Sequence, residues 1–306
     1  MGADQTAIEI RKIKNVLYVA AGLIVLAYCI ALLVDVVMTE NLGITIDTTV
    51  FTDPSKLARL IATMATSITA AIILAGSAYR YKVKRKTAPL LLSCTFLFFT
   101  AGYVVYWFKM IVKFVEAGAV PPRYLLLSNM FNNGIWLLLL PGALFLLFFV
   151  FEVFEGGLYA TKNRVPVRVF FAFLVICFGL IVLSTYNDQF GAINTTVMDI
   201  LLYVGFGFGL ITFIYTFVVQ LVSASKILDK TEDKVQRTGI LFIGLSGLMF
   251  LANIALELLE QLSRALDIGI ENLTDPLSVV SQFLSLVASI FVYVGFIYPS
   301  LKGKQA

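Results

Sequence analysis

Two glutamates inside an otherwise apolar run are the residues of this sequence best placed to do chemistry. The stretch 238–264, TGILFIGLSGLMFLANIALELLEQLSR, is long and apolar enough to cross a bilayer, yet carries Asn253, Glu257 and Glu260 toward its C-terminal end. Ser246, Asn253, Glu257, Glu260 and Arg264 follow one another at steps of seven, four, three and four residues, which puts them on one helical face. A carboxylate in hydrocarbon is costly unless paired or hydrated, so this face is expected to turn toward protein or water.

The next apolar segment carries a matching face of Ser278, Ser281, Gln282, Ser285 and Ser289. Two polar faces on consecutive helices joined by a short loop are expected to meet or to line one cavity. Counted at about 1.5 Å per residue, Asp35 near the end of the first apolar segment and Lys109 near the end of the third reach the depth of Glu257 and Glu260. The candidate cavity is therefore Asp35, Lys109, Asn253, Glu257, Glu260, Ser278 and Gln282. Its net negative charge would attract a small cation or an amine-bearing ligand. The plainer alternatives are interhelical hydrogen bonds without a ligand, and Lys109 snorkelling beside Tyr103, Tyr106 and Trp107 in an interfacial aromatic belt.

The elements that must hold these residues are set by composition. Of 306 residues, 59% are hydrophobic and only 14% charged, with 26 Phe, which no ordinary water-soluble domain shows. Apolar windows fall at 16–37, 58–79, 88–111, 133–154, 166–186, 198–222, 238–263 and 276–298. They are continuous runs without period-two alternation, so helices rather than a barrel are expected. The fold class is all-α, a polytopic integral membrane bundle of eight transmembrane helices with both termini cytoplasmic. Residues 1–15 form a cytoplasmic tail, 16–298 one transmembrane domain and 299–306 a second cytoplasmic tail. The first apolar run is too long for a signal peptide and lacks a clear small-residue cleavage site, so it is read as an uncleaved span.

Charge gives the orientation. Seventeen of the 23 Lys and Arg, including Arg11, Lys12, Lys14, the run from Arg80 to Lys86 and the group Lys226, Lys230, Lys234 and Arg237, fall on one side when spans alternate. The positive-inside rule makes that side cytoplasmic, in the cell membrane. The net charge of +4 comes from this sidedness and is poor evidence for nucleic-acid binding; the basic loops are expected to set topology and to contact anionic lipid. The connection around 223–237 is the most charged and is the expected docking place for any cytoplasmic partner.

Smaller features qualify the helices. In the second span Arg59, Thr63, Thr66 and Ala70 form a small, weakly polar face, read as a packing surface or a solute path. Pro141-Gly142 is expected to bend the fourth span, and Gly205 with Gly209 to allow close approach of the sixth. Glu152 and Glu155 face Arg164 and Arg168 across a connection. The Thr-rich loop after the first span could hold a short helix or hairpin, and it shares a Thr-Asp-Pro sequence with the loop before the eighth. Asn194 and Asn272 head glycosylation triplets on the outer side, and MGADQT fits a myristoylation pattern only formally.

Absences remove several chemistries. With no His, histidine-ligated haem, histidine-bound zinc and phosphohistidine are excluded. Cys29, Cys94 and Cys177 all lie in spans and form no CxxC pair. The last span has no lysine for a Schiff base, and no phosphate-binding loop or GxSxG is present. No catalytic residue, metal or cofactor is expected. The reading is transport or permeation of a small solute, cationic if the cavity charge decides it, through a cavity lined by the seventh and eighth helices. A sensory membrane module and a structural subunit of a membrane complex are the alternatives.

Overall fold

The computed structural model describes residues 43–115, 122–157, 164–190, 194–265 and 271–302. The first expected span, with Asp35, the tail 1–15 and residues 303–306 lie outside the described residues, whereas 299–302, expected in the second tail, continue the last helix because its backbone hydrogen bonding runs past the apolar window. Within them the chain is helical apart from one short ribbon. In order the elements are strand β1 (Gly43–Ile46), the one-turn helix α1 (Thr49–Thr52), α2 (Pro54–Lys84), α3 (Thr87–Ile111), strand β2 (Val112–Val115), α4 (Pro122–Phe154), α5 (Arg164–Phe190), α6 (Thr195–Leu228), α7 (Lys234–Ala265) and α8 (Glu271–Lys302). Five of them, α2, α3, α6, α7 and α8, contain stretches long and apolar enough to cross a membrane. Leu138–Phe154 in α4 and Val165–Cys177 in α5 are shorter apolar stretches.

Local chemistry starts and stops the helices. Asp53 caps α2 by accepting from the backbone N–H groups of Ser55 (2.9 Å) and Lys56 (3.3 Å), and Pro54 occupies the first turn, where its missing donor costs little. Arg85 ends α2 in the left-handed region at φ 52°. Asn194 caps α6 by accepting from Thr196 N at 2.9 Å. The second Thr-Asp-Pro sequence has a different place: residues 274–276 lie inside α8, so the echo is not a repeated cap. The charged connection around 223–237 is likewise mostly helix, with only 229–233 between α6 and α7.

Helix neighbours close a ring in the order α2, α3, α4, α6, α7, α8 and back to α2, while α5 docks outside against α4 and α6. The helices of the ring reverse the pattern of a water-soluble bundle. α2 buries Thr63, Thr66 and Ser77 and exposes Ile61, Ile68 and Ile72, the last three each more than half exposed. α6 buries Thr212, Thr216, Gln220 and Ser223 and exposes Ile211, Val218 and Val222. Apolar surface outward and polar groups inward is what an apolar solvent selects. Phe96, Phe99, Phe149, Phe213, Phe217 and Phe250 fill the middle of the ring.

The ribbon marks one end of the bundle. β1 and β2 pair antiparallel, Gly43 opposite Val115 and Ile46 opposite Val112, so the loop strand finds its partner just past α3 and not in a hairpin of its own. Asp47 N donates to Ile111 O at 2.8 Å and ties the ribbon to the end of α3. The opposite end carries Lys82, Lys84, Lys226 and Lys234 and is called the basic end below.

Close approach is set by glycine where backbone meets backbone. At Gly295 an added Cβ would lie 2.6 Å from Gly239 O and 2.7 Å from Ile243 Cγ1, so the α8 backbone there packs directly against the backbone of Gly239 and the side chain of Ile243 on α7. Gly142 leaves room for Phe99, whose ring would lie 2.6 Å from a Cβ. Gly205 and Gly209 receive Leu180 and Leu140. Gly207 faces open space. Gly295→Ala should therefore cost about 1–3 kcal/mol through overpacking, whereas Gly207→Ala should be neutral or slightly stabilising. Thermal unfolding of the two purified variants in one detergent reads the difference.

Candidate functional site

The polar groups of four helices meet near the ribbon end. On α7, Glu257 and Glu260 are separated by three residues and share a face; Glu260 is buried and Glu257 half-buried. α8 runs antiparallel beside it and brings Gln282, whose Nε2 donates to Glu257 Oε1 at 3.4 Å. From α2, Thr63 Oγ1 stands 3.5 Å from Gln282 Oε1 and also donates to Arg59 O at 2.9 Å. Gln282 thereby joins α2 to α7. The Ser281 hydroxyl donates to Ser278 O at 3.0 Å and lies in hydrogen-bonding reach of the Glu257 carboxylate.

Arg59, one turn before Thr63 on α2, supplies the positive charge. Its Nη2 donates to the Tyr106 hydroxyl of α3, and its guanidinium carbon lies 5.4 Å from the centroid of the same ring. Its charge acts on Glu257, which also feels the like charge of Glu260. Tyr103, one turn from Tyr106, is hydrogen-bonded to Ser285 of α8 and completes the floor. A guanidinium between a phenol and a carboxylate suits a partly desolvated site, because its delocalised charge tolerates burial better than an ammonium.

Three buried atoms in or beside this group have no hydrogen-bond partner: Arg59 Nε, Asn253 Oδ1 and Ser278 Oγ. Each such atom costs about 1–3 kcal/mol if it stays dry and unmade. They comprise one donor, one acceptor and one hydroxyl that can be either, which is unused capacity for a polar guest or for water.

Five of the seven residues expected from sequence therefore lie together: Asn253, Glu257, Glu260, Ser278 and Gln282. Lys109 is exposed at the end of α3, where the charge of Arg59 reaches it. Asp35 lies outside the described residues. From sequence, Arg59 and Thr63 belong to a face of the second span that is either a packing surface or a solute path, and Tyr103 and Tyr106 to an interfacial belt. Spacing had set Arg59 in line with Thr63, but only the packing of α2 against α8 and α3 reveals which charge it meets. A further polar face, Thr212, Thr216, Gln220 and Ser223 on α6, went unread although its steps of four, four and three were visible. Against known proteins the chain matches no family model, no curated protein and no solved structure.

Replacing Arg59 by Met removes the donor to the Tyr106 hydroxyl and the positive charge that acts on Glu257. The loss of stability should be about 1.5–3 kcal/mol, that of a hydrogen bond made by a charged group. The double variant Arg59→Met, Glu257→Gln should recover part of it, a coupling that unfolding of the two single variants and the double variant measures.

Proposed function

We propose that this chain is an integral membrane protein of eight spans, with both termini cytoplasmic, that moves a small cationic or amine-bearing solute across the cell membrane. The carrying observation is the cluster of Arg59, Glu257, Glu260 and Gln282, with unpartnered Asn253 Oδ1 and Ser278 Oγ, in a bundle whose outer surface is apolar. Ionisable groups at membrane depth are costly and are retained where they handle an ion, a proton or a substrate. The carboxyl groups of Glu257 and Glu260 favour a positive guest. The ammonium of such a guest would donate to Glu257 and to Asn253 Oδ1, while Gln282 and Arg59 hold the carboxylates in place.

The remaining parts of the reading follow the charge distribution. The basic end faces the cytoplasm under the positive-inside rule, which puts the Glu257 cluster toward the outer face. In this reading 16–37 supplies the first span and 1–15 a cytoplasmic tail, and the tail expected at 299–306 begins within the last turn of α8. The surface around 223–237 meets anionic lipid or a cytoplasmic partner through Lys226, Lys230, Lys234 and Arg237.

Uptake of radiolabelled methylammonium into proteoliposomes tests the proposal. Wild type should accumulate it above protein-free liposomes, and Glu257→Gln should lower uptake by about tenfold or more, the loss of one charge-assisted contact. Saturable methylammonium binding without flux would instead make the protein a sensor, and neither binding nor flux would leave the cluster a structural tie.

A further inference from the structure

A second polar cluster lies toward the basic end, where α7 meets α6 and the end of α4. Thr212 and Thr216 of α6 satisfy themselves by donating to their own helix, at Phe208 O (2.9 Å) and Thr212 O (2.8 Å). Gln220, which is fully buried, cannot do so. Its Nε2 donates across to α7, to Ile243 O at 2.7 Å and Ser246 Oγ at 2.6 Å, and its Oε1 has no partner. One turn nearer the basic end, Ser223 donates to Glu155 Oε1 at 2.7 Å, at the end of α4. The group offers a buried amide oxygen with no donor beside it, a serine hydroxyl and a carboxylate, an acceptor-rich set for a donor such as an ammonium.

Aromatic rings separate the two clusters. The inward face of α7 reads Ser246, Phe250, Asn253, Glu257, Glu260, so Phe250 stands between the two polar groups on one helical stripe. Phe250 stacks on Phe217 of α6 with centroids 4.6 Å apart, and meets Phe99 of α3 edge-on at 6.2 Å. Phe99 in turn contacts Tyr103, the floor of the first cluster, at 6.4 Å. The stripe on α3 changes character at the same level, from Phe96 and Phe99 to Tyr103 and Tyr106. All three rings are buried, and Gly142 of α4 leaves the space that Phe99 occupies. Packed apolar rings between two polar clusters exclude water and ions until they part.

We propose that Gln220, Ser246, Ser223 and Glu155 form a second station for the same cationic or amine guest, entered from the basic end, and that Phe99, Phe250 and Phe217 are the gate between the two stations. This rests on the transport reading above. A guest leaves Glu257 and Asn253 when Phe250 quits the stack, and is received by Gln220 Oε1 and Glu155.

The experiment uses the full chain with Cys29, Cys94 and Cys177 replaced by alanine, carrying Ser246→Cys or Asn253→Cys, in whole cells and in inverted vesicles. The probe is a membrane-impermeant quaternary-ammonium thiol reagent. Ser246→Cys should react only from the basic-end face and Asn253→Cys only from the other. Adding Phe250→Ala, or the milder Phe250→Leu if the first does not fold, should speed modification of Ser246→Cys from the opposite face by about tenfold or more. Methylammonium should slow modification at both positions. The gate is overturned if Ser246→Cys reacts equally from both faces with Phe250 present, or if neither Phe250 variant changes its accessibility. The inner station is overturned if methylammonium protects Asn253→Cys and leaves Ser246→Cys unprotected. Protection at neither position, with no uptake by the parent protein, overturns the transport reading itself, and the inner station with it; the sidedness of Ser246→Cys then still reports the aromatic barrier.

Discussion

Hydrocarbon offers no hydrogen-bond partner, and the rest of this structure follows from that constraint. Each polar side chain in the ring must either satisfy itself on its own helix or find a partner on a neighbour. Thr66 and Ser77 take the first course, donating to Ala62 O and Ile73 O one turn back. Gln220, Gln282 and Arg59 have side chains whose groups reach other helices, and each cross-links two of them. The polar groups therefore fix which faces meet, while the exposed isoleucines and valines give the surface that lipid selects.

The ring shows how little of its cohesion depends on those cross-links alone. α7 and α8 meet backbone to side chain at Gly295 and Ile243, and α7 meets α6 at Gly247, where a Cβ would lie 3.0 Å from Phe217 O. Without a hydrophobic drive between helices in lipid, such close packing supplies much of the attraction. α2 is tied to α8 at both ends, by Thr63 to Gln282 near the ribbon and by Arg80, whose Nη1 donates to Phe296 O at 3.0 Å, near the basic end. α5 makes fewer demands, which fits its place outside the ring.

Helical class and the polar stripe on α7 were legible because both are periodic and local. Glu257 and Glu260 announce their shared face by spacing, and Ser278, Ser281 and Gln282 announce theirs; no tertiary knowledge is needed to expect the faces to meet. Arg59 is visible as a residue but not as the partner of Tyr106 or the neighbour in charge of Glu257, because the first relation spans 47 residues and the second almost two hundred, and both depend on packing between helices. The β1 and β2 pairing was hidden for the same reason, since each strand is four residues long and its partner lies in another loop. The face of Thr212, Thr216, Gln220 and Ser223 had the right spacing, but threonines dilute the polarity of a helix and Gly205, Gly207 and Gly209 drew the reading toward packing. The helix ends ran past the apolar windows because caps and hydrogen bonds, not hydropathy, decide where a helix stops.

Depth sorts the polar groups by what their burial costs. The carboxylates occupy the two ends of the ring, Glu257 and Glu260 toward the ribbon and Glu155 toward the basic end. Among the described residues the clusters between them are built of hydroxyls and amides, and the midpoint belongs to Phe99, Phe250 and Phe217. An ion at the midpoint would face the full desolvation cost, a hydroxyl there can donate to its own helix, and an aromatic ring needs no partner at all. The same ordering that makes the bundle tolerable in lipid also builds the highest barrier for a charged guest at its centre. Any guest that crosses must therefore shed water at one carboxylate and regain polar contacts at the other, so the distance between Glu257 and Glu155 is set as much by the solvent around the protein as by the guest within it.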